Sequence, residues 1–417
     1  MAITPSHPDS PEEVIAPFDL ASVPEEAADA IPEAEHLPPA ERNPAVAADI
    51  LALPRVVLGC ATFGYGVYAD EALVKSTMPL RVVRAALRAG VNAFDTAPHY
   101  HPSEVILGEA LYALRDEFPR ESYSIITKTA KFGPQVSNHH YDPEVVRKSV
   151  ERSLKRFKTD YLDVVYLHDV EFVVSKPFPS PAGAHLDALG PKAAEWGLEP
   201  PYVSHGKGDD SILACLAVLR EYQSRGVIKR VGIAGFPLPV LLRLSLLELA
   251  ATGKPIDVVQ SYSHQTVLCS TLGDGFLRAL TEDAKVPQVM NAAPLSMGIL
   301  TAGGGPSWHP AKKVSALYEA IREAVVLAKE KGSTIEAVAC GFGYKDLRQD
   351  NGAPVPVVVG CTNLDQLHQT LQTYAEVNGH GALQPERIEA EKAVLELFKE
   401  RGVHNVSWQS PAPDSLG

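Results

Sequence analysis

Short β-branched runs alternate with longer amphipathic stretches along most of this sequence, and this alternation limits the possible folds more than any other feature. Residues 55–59 (RVVLG) are typical of a strand, and residues 81–90 (RVVRAALRAG) are typical of a helix that ends at Gly90. The strand runs look buried, and the connecting helices are long enough for parallel crossovers. The alternation therefore predicts an α/β fold with a parallel sheet.

Eight strand–helix pairs follow one another between residues 55 and 401. The predicted strands span residues 55–59, 91–95, 122–128, 162–169, 229–235, 256–263, 287–295 and 354–360. The predicted helices span residues 81–90, 103–117, 142–157, 209–226, 238–253, 271–284, 313–332 and 364–377, with one more at 387–401. Ser103 and Asp142 stand at N-cap positions of their helices. Eight such units predict a closed (β/α)8 TIM barrel.

The competing architecture is an open, doubly wound sheet. Such a sheet usually carries a glycine-rich phosphate loop directly after its first strand. Here that position reads GCATFGYG, which has Gly59, Gly64 and Gly66 but no GxGxxG spacing. The sequence therefore favours the barrel.

The chain divides into three parts by composition. Residues 1–50 hold eleven Asp and Glu against one Arg, together with nine prolines, so we predict a disordered acidic, Pro-rich tail over residues 1–48. An interaction element is the alternative interpretation of this tail. Residues 49–405 would form the barrel, and residues 406–417 a C-terminal tail. Residues 170–208 form a long irregular insertion that is either a lid over the active site or a passive surface excursion.

Charge and composition exclude several functional classes. The net charge of −13 argues against a nucleic-acid partner. No uncharged apolar run reaches the length of a membrane helix, and the first residues lack the basic and apolar regions of a secretory signal. The five cysteines are scattered, without CxxC or zinc spacing, and are predicted to be buried thiols. We therefore expect a soluble cytoplasmic protein without a metal site; its oligomeric state is left open.

Three polar residues end successive predicted strands. Asp95 ends the second strand, Lys128 the third and His168 the fourth, and Tyr100 follows Asp95 on the next loop. The carboxyl ends of barrel strands open onto one cavity, so these side chains can share a pocket. Each residue alone has an ordinary structural explanation, such as a cap or a solvated strand end. Together they indicate a functional site.

The four side chains suit proton transfer beside a hydride-transfer reaction. A free phenol has a pKa near 10, and a lysine cation within a few ångströms should lower that value. Asp95 would keep Lys128 charged, and His168 would hydrogen-bond the substrate oxygen or the phenol. Tyr100 could then act as a general acid or base at a carbonyl or hydroxyl oxygen. The sequence shows no activated Ser or Cys nucleophile, so a cofactor must carry the hydride.

The stretch DTAPHYHPSEVILGEAL at residues 95–111 resembles the active-site signature of the aldo-keto reductases, except that His101 stands where the family usually has Gly. The resemblance extends from about residue 54 to residue 377. It implies a (β/α)8 barrel, a nicotinamide cofactor extended across the strand ends, and a catalytic tetrad of Asp95, Tyr100, Lys128 and His168. In that tetrad Tyr100 is the general acid/base.

The same resemblance implies the cofactor contacts. Gln260 is similar to the family's glutamine at the nicotinamide carboxamide, whereas Ala234 and Gly235 replace the family's Ser-Asn pair, and Ala292 replaces its stacking tyrosine. The other implied cofactor contacts are Thr62, Phe63, Leu295, Ser296, Gly298, Gly360, Thr362, Gln366, Gln369 and Thr370. The last predicted strand is followed by Cys361, Thr362, Asn363 and Asp365 rather than by a basic residue, which favours NAD over NADP.

Three departures resemble the sugar-dehydrogenase branch of the family. GIAGFPL replaces the Ser-Asn motif, PLSMGILT precedes GGGPSWHPA, and the last strand lacks its basic residues. That branch implies oxidation of an aldose, of the D-arabinose or L-galactose type, at C1 to its lactone. Tyr65, Trp308 and His309 would line the sugar site, together with Phe63 and the insertion at residues 170–208. Two alternatives stay open: an NADPH-dependent reductase of aldehydes or ketones, and a cofactor-sensing regulatory subunit that interacts through its acidic tail.

Overall fold

The eight predicted strands form a closed parallel barrel in the computed structural model, which describes residues 4–179 and 185–415. The strands are β1 Val56–Gly59, β2 Ala93–Asp95, β3 Ser124–Thr129, β4 Leu162–His168, β5 Ile228–Gly235, β6 Val258–Tyr262, β7 Gln288–Ala292 and β8 Val357–Gly360. β1 pairs with β2 on one side and with β8 on the other, from Val56 opposite Val357 to Gly59 opposite Gly360. This closure excludes the open, doubly wound sheet.

Helices surround the barrel in the order that the sequence predicts. They are α1 Pro39–Arg42, α2 Glu71–Val74, α3 Met78–Arg88, α4 Ser103–Ala113, α5 Pro143–Phe157, α6 Lys207–Ser224, α7 Leu238–Thr252, α8 Ser315–Glu330, α9 Ile335–Gly343, α10 Leu364–Val377 and α11 Pro385–Glu400. The predicted helix at residues 271–284 instead consists of two π-helical segments, Leu272–Phe276 and Ala279–Asp283. Helix α9 was not predicted, since its residues IEAVACGFG contain two glycines and little amphipathic pattern.

The two predicted caps have different outcomes. Asp142 caps α5, because its carboxylate accepts hydrogen bonds from the amides of Glu144 and Val145 at 2.9 and 3.2 Å. Ser103 is the first residue of α4 rather than its cap. Its hydroxyl donates to the Cys60 carbonyl oxygen at 2.6 Å and lies 2.7 Å from the Thr96 hydroxyl, so it joins the loop after β2 to the loop after β1.

Residues 4–48, which we call the N-terminal arm, are folded against the barrel, and this corrects the prediction of a disordered tail for these residues. Residues 1–3 lie outside the described part of the chain. Asp29 is buried and accepts hydrogen bonds from Arg81 and Arg84 of α3 at 2.7 to 3.2 Å. Burial opposes ionisation, yet these bonds lower the pKa of Asp29 to about 2. Arginines of the barrel therefore compensate the carboxylate that the arm buries.

The insertion at residues 170–208 is irregular, as predicted, within its described residues. It contains three short 3-10 turns at Val170–Phe172, His185–Leu189 and Ala194–Trp196, and residues 180–184 lie outside the described part. Trp196 is buried and stacks on Phe178 at a ring-centroid distance of 6.3 Å. Its role as a lid stays a prediction.

The segment after α11 also packs on the barrel. Trp408 is buried and stacks on Phe236 with ring centroids 4.8 Å apart, and the Ser410 hydroxyl donates to Glu171 at 3.0 Å. The five cysteines are buried free thiols, as the sequence predicts. Among the described residues, no helix combines the length and apolar character needed to cross a membrane.

Candidate active site

Asp95 and Lys128 form a buried ion pair at the carboxyl ends of β2 and β3. The Lys128 ammonium donates to Asp95 Oδ1 at 2.5 Å and to the Thr96 carbonyl oxygen at 3.0 Å. Both side chains are almost fully removed from solvent. Because each charge is desolvated, each depends on the other for compensation. The pair therefore fixes Lys128 at the carboxyl ends of β2 and β3.

Tyr100 lies above this pair on the turn Pro98–Tyr100 that follows β2. Its hydroxyl is 3.5 Å from His168 Nε2, and its ring centroid is 5.3 Å from the Lys128 ammonium. The tyrosine and histidine rings meet edge to face, with centroids 5.5 Å apart. The structure thus brings the four residues of the predicted tetrad together at the ends of three neighbouring strands.

The pKa of Tyr100 differs from the sequence-based expectation. Burial of the ring raises the pKa of the phenol well above 10, and the charges of Asp95 and Asp169 raise it further. Lys128 does not reverse this effect because Asp95 neutralises its charge. Burial also lowers the pKa of His168 well below 6.5, with Lys131 and Lys128 adding to the shift. At neutral pH a protonated phenol therefore faces a neutral imidazole.

Three residues at or near the ends of β4, β5 and β6 are paired side by side across the sheet. His168 lies opposite Ala234, which in turn lies opposite Gln260. The Gln260 amide donates to Asp95 Oδ2 at 3.1 Å, so this glutamine is oriented by the same carboxylate that holds Lys128. Gln260 is the residue here that would hydrogen-bond the carboxamide of a nicotinamide cofactor.

Gly235, which stands in place of a residue of the family's Ser-Asn pair, gives room to the Glu171 carboxylate. A Cβ atom on Gly235 would lie 2.5 Å from Glu171 Oε2, so a side chain there requires this carboxylate to shift. Glu171 is buried, and its other oxygen accepts the Phe236 amide at 3.1 Å. Burial and the nearby Asp169 raise the pKa of Glu171 to about 8.

The predicted cofactor-binding residues lie at or near the ends of neighbouring strands. Gln260 lies within β6, two residues before its end, the loop with Ser296 follows β7, and Thr362 follows β8. The residues that would hold an extended dinucleotide therefore follow one another around the barrel. Ser296, Met297 and Gly298 have positive φ angles of 47°, 57° and 82°. The amides of Ser296 and Gly298 donate to the Ala293 and Leu295 carbonyl oxygens at 2.8 and 3.0 Å, so these φ angles shape the turn itself. The polar residues at these strand ends are those that would hold a nicotinamide dinucleotide.

Other predicted contacts have local structural partners. The Thr62 hydroxyl donates to the Gly59 and Cys361 carbonyl oxygens at 3.2 and 3.0 Å and so joins β1 to the end of β8. The Thr362 amide and hydroxyl both bond Gln366 Oε1, at 2.8 and 3.0 Å. Gln366 and Gln369 are exposed, Leu295 is partly buried, and Gly360 is exposed at the barrel mouth.

Three of the predicted cofactor and substrate contacts are buried side chains with structural neighbours. Phe63 is 1% exposed inside the main hydrophobic core. Thr370 is buried, with its hydroxyl 3.7 Å from the Cys361 sulfur. His309 is 1% exposed, and its ring nitrogens are occupied by the Ser296 carbonyl oxygen at 2.9 Å and the Ala311 amide at 3.1 Å. These contacts give His309 a structural role in its loop.

The two predicted aromatic substrate contacts have different surroundings. Trp308 is 44% exposed and meets Tyr68 edge to face, with ring centroids 6.0 Å apart. Tyr65 is partly buried, and its hydroxyl donates to Glu13 of the N-terminal arm at 2.8 Å. The phenol of Tyr65 is therefore engaged by the arm.

Four residues beside the tetrad were not predicted, and we call them the polar wall: His99, Lys131, His139 and Asp169. Lys131 donates to Asp169 Oδ2 at 2.5 Å. The His99 and His168 ring centroids are 5.7 Å apart, and the His139 ring stacks on Phe172 at 4.1 Å. Two of these residues stand close to tetrad residues in the sequence. Lys131 comes three residues after Lys128, and Asp169 directly follows His168.

Several buried atoms in and beside the polar wall have no hydrogen-bond partner among the described residues. They are Nδ1 of His99, both ring nitrogens of His139, Nδ1 of His168 and Oδ1 of Asp169. A buried polar atom without a partner costs about 1–3 kcal/mol of stability. Such a cost is offset when a ligand supplies the missing hydrogen bonds.

Comparison with known proteins agrees with this geometry. The sequence profile of the Aldo/keto reductase family matches residues 55–378. The chain belongs to the aldo/keto reductase family. This family of oxidoreductases uses nicotinamide cofactors.

Two relatives of this aldo/keto reductase are named as sugar dehydrogenases. D-arabinose 1-dehydrogenase of Saccharomyces cerevisiae is 32% identical over 376 residues, which cover 88% of this chain and 96% of the relative. L-galactose dehydrogenase of Arabidopsis thaliana is 30% identical over 332 residues, covering 79% and 86%. An NADH-specific methylglyoxal reductase of Escherichia coli is 26% identical over 264 residues, covering 60% and 66%.

Proposed function

We propose that this aldo/keto reductase is an NAD-dependent dehydrogenase that oxidises an aldose, of the D-arabinose or L-galactose type, at C1 to its lactone. The two sugar-dehydrogenase relatives support the substrate class. The observation that carries the proposal is the polar wall beside Tyr100, where buried nitrogen and oxygen atoms of His99, His139 and Asp169 have no partner among the described residues. Sugar hydroxyls both donate and accept hydrogen bonds, so they can satisfy these atoms.

In the proposed reaction the cyclic aldose places its C1 hydroxyl at Tyr100. The C1–H bond breaks with its electron pair, the hydroxyl proton passes to the phenolate of Tyr100, and a C1=O bond forms. A nicotinamide cofactor held near Gln260 would supply the acceptor for this hydride. His168 stays neutral and holds the reacting oxygen, and Asp95 keeps Lys128 in place below the phenol.

The proposed preference for NAD rests on the residues after β8. Residues 357–370 contain no Lys or Arg, and Asp365 is exposed at the start of α10. A 2′-phosphate would need a cation there, and a carboxylate would repel it. We also propose a cytoplasmic location.

A second candidate is an NADPH-dependent reductase of aldehydes or ketones. The raised pKa of Tyr100 favours this reading, because reduction needs a protonated phenol as general acid. The polar wall does not favour it, because small aldehydes and ketones offer few hydroxyls to its unpartnered atoms.

The two candidates are separated by initial rates with NAD and NADP against D-arabinose, L-galactose and L-fucose, and with NADH and NADPH against small aldehydes. We expect lactone formation with NAD. We also expect the substitution Asp169→Asn to raise the aldose KM, since it changes the hydrogen-bonding capacity of the polar wall. Aldehyde reduction with NADPH and no aldose oxidation would establish the second candidate instead.

A further inference from the structure

The N-terminal arm reaches the mouth of the active site through one carboxylate. Glu13 Oε1 accepts a hydrogen bond from the Tyr65 hydroxyl at 2.8 Å, and Glu13 Oε2 lies 2.6 Å from His101 Nε2. Tyr65 belongs to the loop after β1, and His101 directly follows Tyr100 on the loop after β2. A single side chain of the arm therefore joins the two loops.

The two loops are also in close backbone contact. The Tyr65 amide donates to the His101 carbonyl oxygen at 3.0 Å. A Cβ atom on Gly64 would lie only 2.7 Å from the Tyr100 carbonyl oxygen, so the backbones approach at a point that only glycine allows. A shift of either loop would therefore move the backbone of Tyr100.

The residue at position 101 makes this bridge possible. The side chains of His101 and Glu13 are 11% and 30% exposed, so their contact is largely shielded from solvent. Burial lowers the pKa of His101 although Glu13 acts against this shift, so a neutral imidazole donates to the carboxylate. A glycine at this position has no side chain to offer. The bridge thus accounts for the departure from the family signature.

The neighbouring residue Glu12 anchors the arm to α5. Its carboxylate accepts hydrogen bonds from Arg152 at 2.5 Å and from Arg156. Arg156 also donates to the buried Glu104 at 2.8 Å, and Glu104 accepts the hydroxyl of Thr127, the residue before Lys128, at 2.6 Å. The carboxylate of Glu13 therefore projects from a fixed backbone.

We propose that Glu13 is a positioning residue, which holds the loop of Tyr100 against the loop of β1 through its bonds to His101 and Tyr65. The proposal rests on the proposed role of Tyr100 as general acid/base. It makes the arm part of the catalytic apparatus without any contact between the arm and the substrate.

The test compares Glu13→Ala with Asp9→Asn in the full-length protein. Asp9 belongs to the same arm, and its carboxylate accepts a hydrogen bond from Lys148 of α5 at 2.7 Å. This pair is on the exposed surface and away from both loops, so Asp9 is a matched control. We expect Glu13→Ala to lower kcat about tenfold, because small displacements of a catalytic group are costly. KM and the Kd for NAD should change less than twofold, and Asp9→Asn should change none of these values.

A second pair of variants separates positioning from folding. His101→Gly removes the bridge, whereas His101→Gln keeps an amide that can donate to Glu13. We expect kcat to fall in the first variant and to recover in the second. In the double variant Glu13→Ala/His101→Gly the losses should not add fully, because both changes break the contact between Glu13 and His101.

Hydrogen–deuterium exchange gives a readout that does not depend on activity. We expect the Glu13→Ala variant to exchange faster in peptides that cover residues 97–102, with no change in the Asp9→Asn variant. Exchange can be measured even if the protein oxidises no aldose, so failure of the proposed function is distinguishable from failure of this proposal. Unchanged exchange in that segment, or faster exchange with an unchanged kcat, would overturn the positioning role.

Discussion

Tyr100 shows how the fold changes the chemistry of a single side chain. The phenol lies 3.5 Å from a neutral His168, and its surroundings raise its pKa because burial and two carboxylates disfavour the phenolate. The charge of Lys128, which would favour the phenolate, is already paired with Asp95. Tyr100 is therefore protonated at neutral pH and can act there as a general acid.

This raised pKa predicts how the oxidation rate depends on pH. Oxidation needs the phenolate, so kcat/KM for the aldose should rise steadily from pH 7 towards pH 10, because the deprotonated fraction grows with pH. The substitution Tyr100→Phe should abolish turnover and leave NAD binding, measured by fluorescence titration, unchanged. Tyr112→Phe, at a 45% exposed position on α4, is the matched control. Turnover that survives in Tyr100→Phe would refute the assigned role.

At the scale of elements, the arm and α3 are joined by a buried charge cluster. Asp29 accepts hydrogen bonds from Arg81 and Arg84, and Arg81 also donates to the more exposed Glu26 at 2.8 Å. The arm carries the negative charges and the helix carries the positive ones. Without the arm the buried arginines would lack their carboxylate partner, and without the helix Asp29 would lack its cations.

Removal of the buried carboxylate should therefore be costly. Asp29→Ala leaves two buried guanidinium groups without their main partner, and we expect the free energy of unfolding to fall by about 3 kcal/mol. Glu26→Ala removes a 58% exposed partner of Arg81 and should cost less than about 1 kcal/mol. Urea denaturation of both variants measures the difference. Equal losses would show that burial of Asp29 has no energetic consequence.

At the scale of the whole molecule, several histidines are buried in neutral form. Burial lowers the pKa of His139 to about 2 and the pKa values of His185 and His309 to about 4. The pKa values of His99, His168 and His264 are lowered as well, again chiefly by burial. Just below pH 6.5 the unfolded chain binds protons at these six residues, whereas the folded chain keeps them neutral.

Stability should therefore fall as the pH falls. Each of these histidines contributes a loss of about 1.4 kcal/mol per pH unit once the pH is well below its unfolded pKa. Glu171, whose pKa is raised to about 8, acts in the opposite direction, since its contribution to stability is lost as the pH rises from 4.5 to 8. Six groups outweigh one, so the urea midpoint should be clearly lower at pH 5.5 than at pH 7. An unchanged midpoint would contradict this balance.

The barrel could be predicted from sequence because its signal is local. Each strand is a short buried run next to an amphipathic helix, and the predicted strand at residues 55–59 lies within one residue of Val56–Gly59. The tetrad could be predicted because three polar residues end three neighbouring strands. The folded arm could not be predicted, because the arginines that neutralise it lie far away in sequence. The pKa of Tyr100 and the polar wall depend on burial and on loops that only the tertiary structure brings together.

The contact between Glu171 and Gly235 offers a criterion for sorting related sequences. A side chain at position 235 and the observed position of Glu171 are mutually exclusive, since the Cβ atom would come within 2.5 Å of the carboxylate. In a family alignment, a glutamate three residues after the strand-ending histidine should therefore occur together with a glycine at the position equivalent to 235. Chains that carry the Ser-Asn pair should have another residue in place of that glutamate. Two positions, read together, would then assign a chain to one branch or the other before any assay.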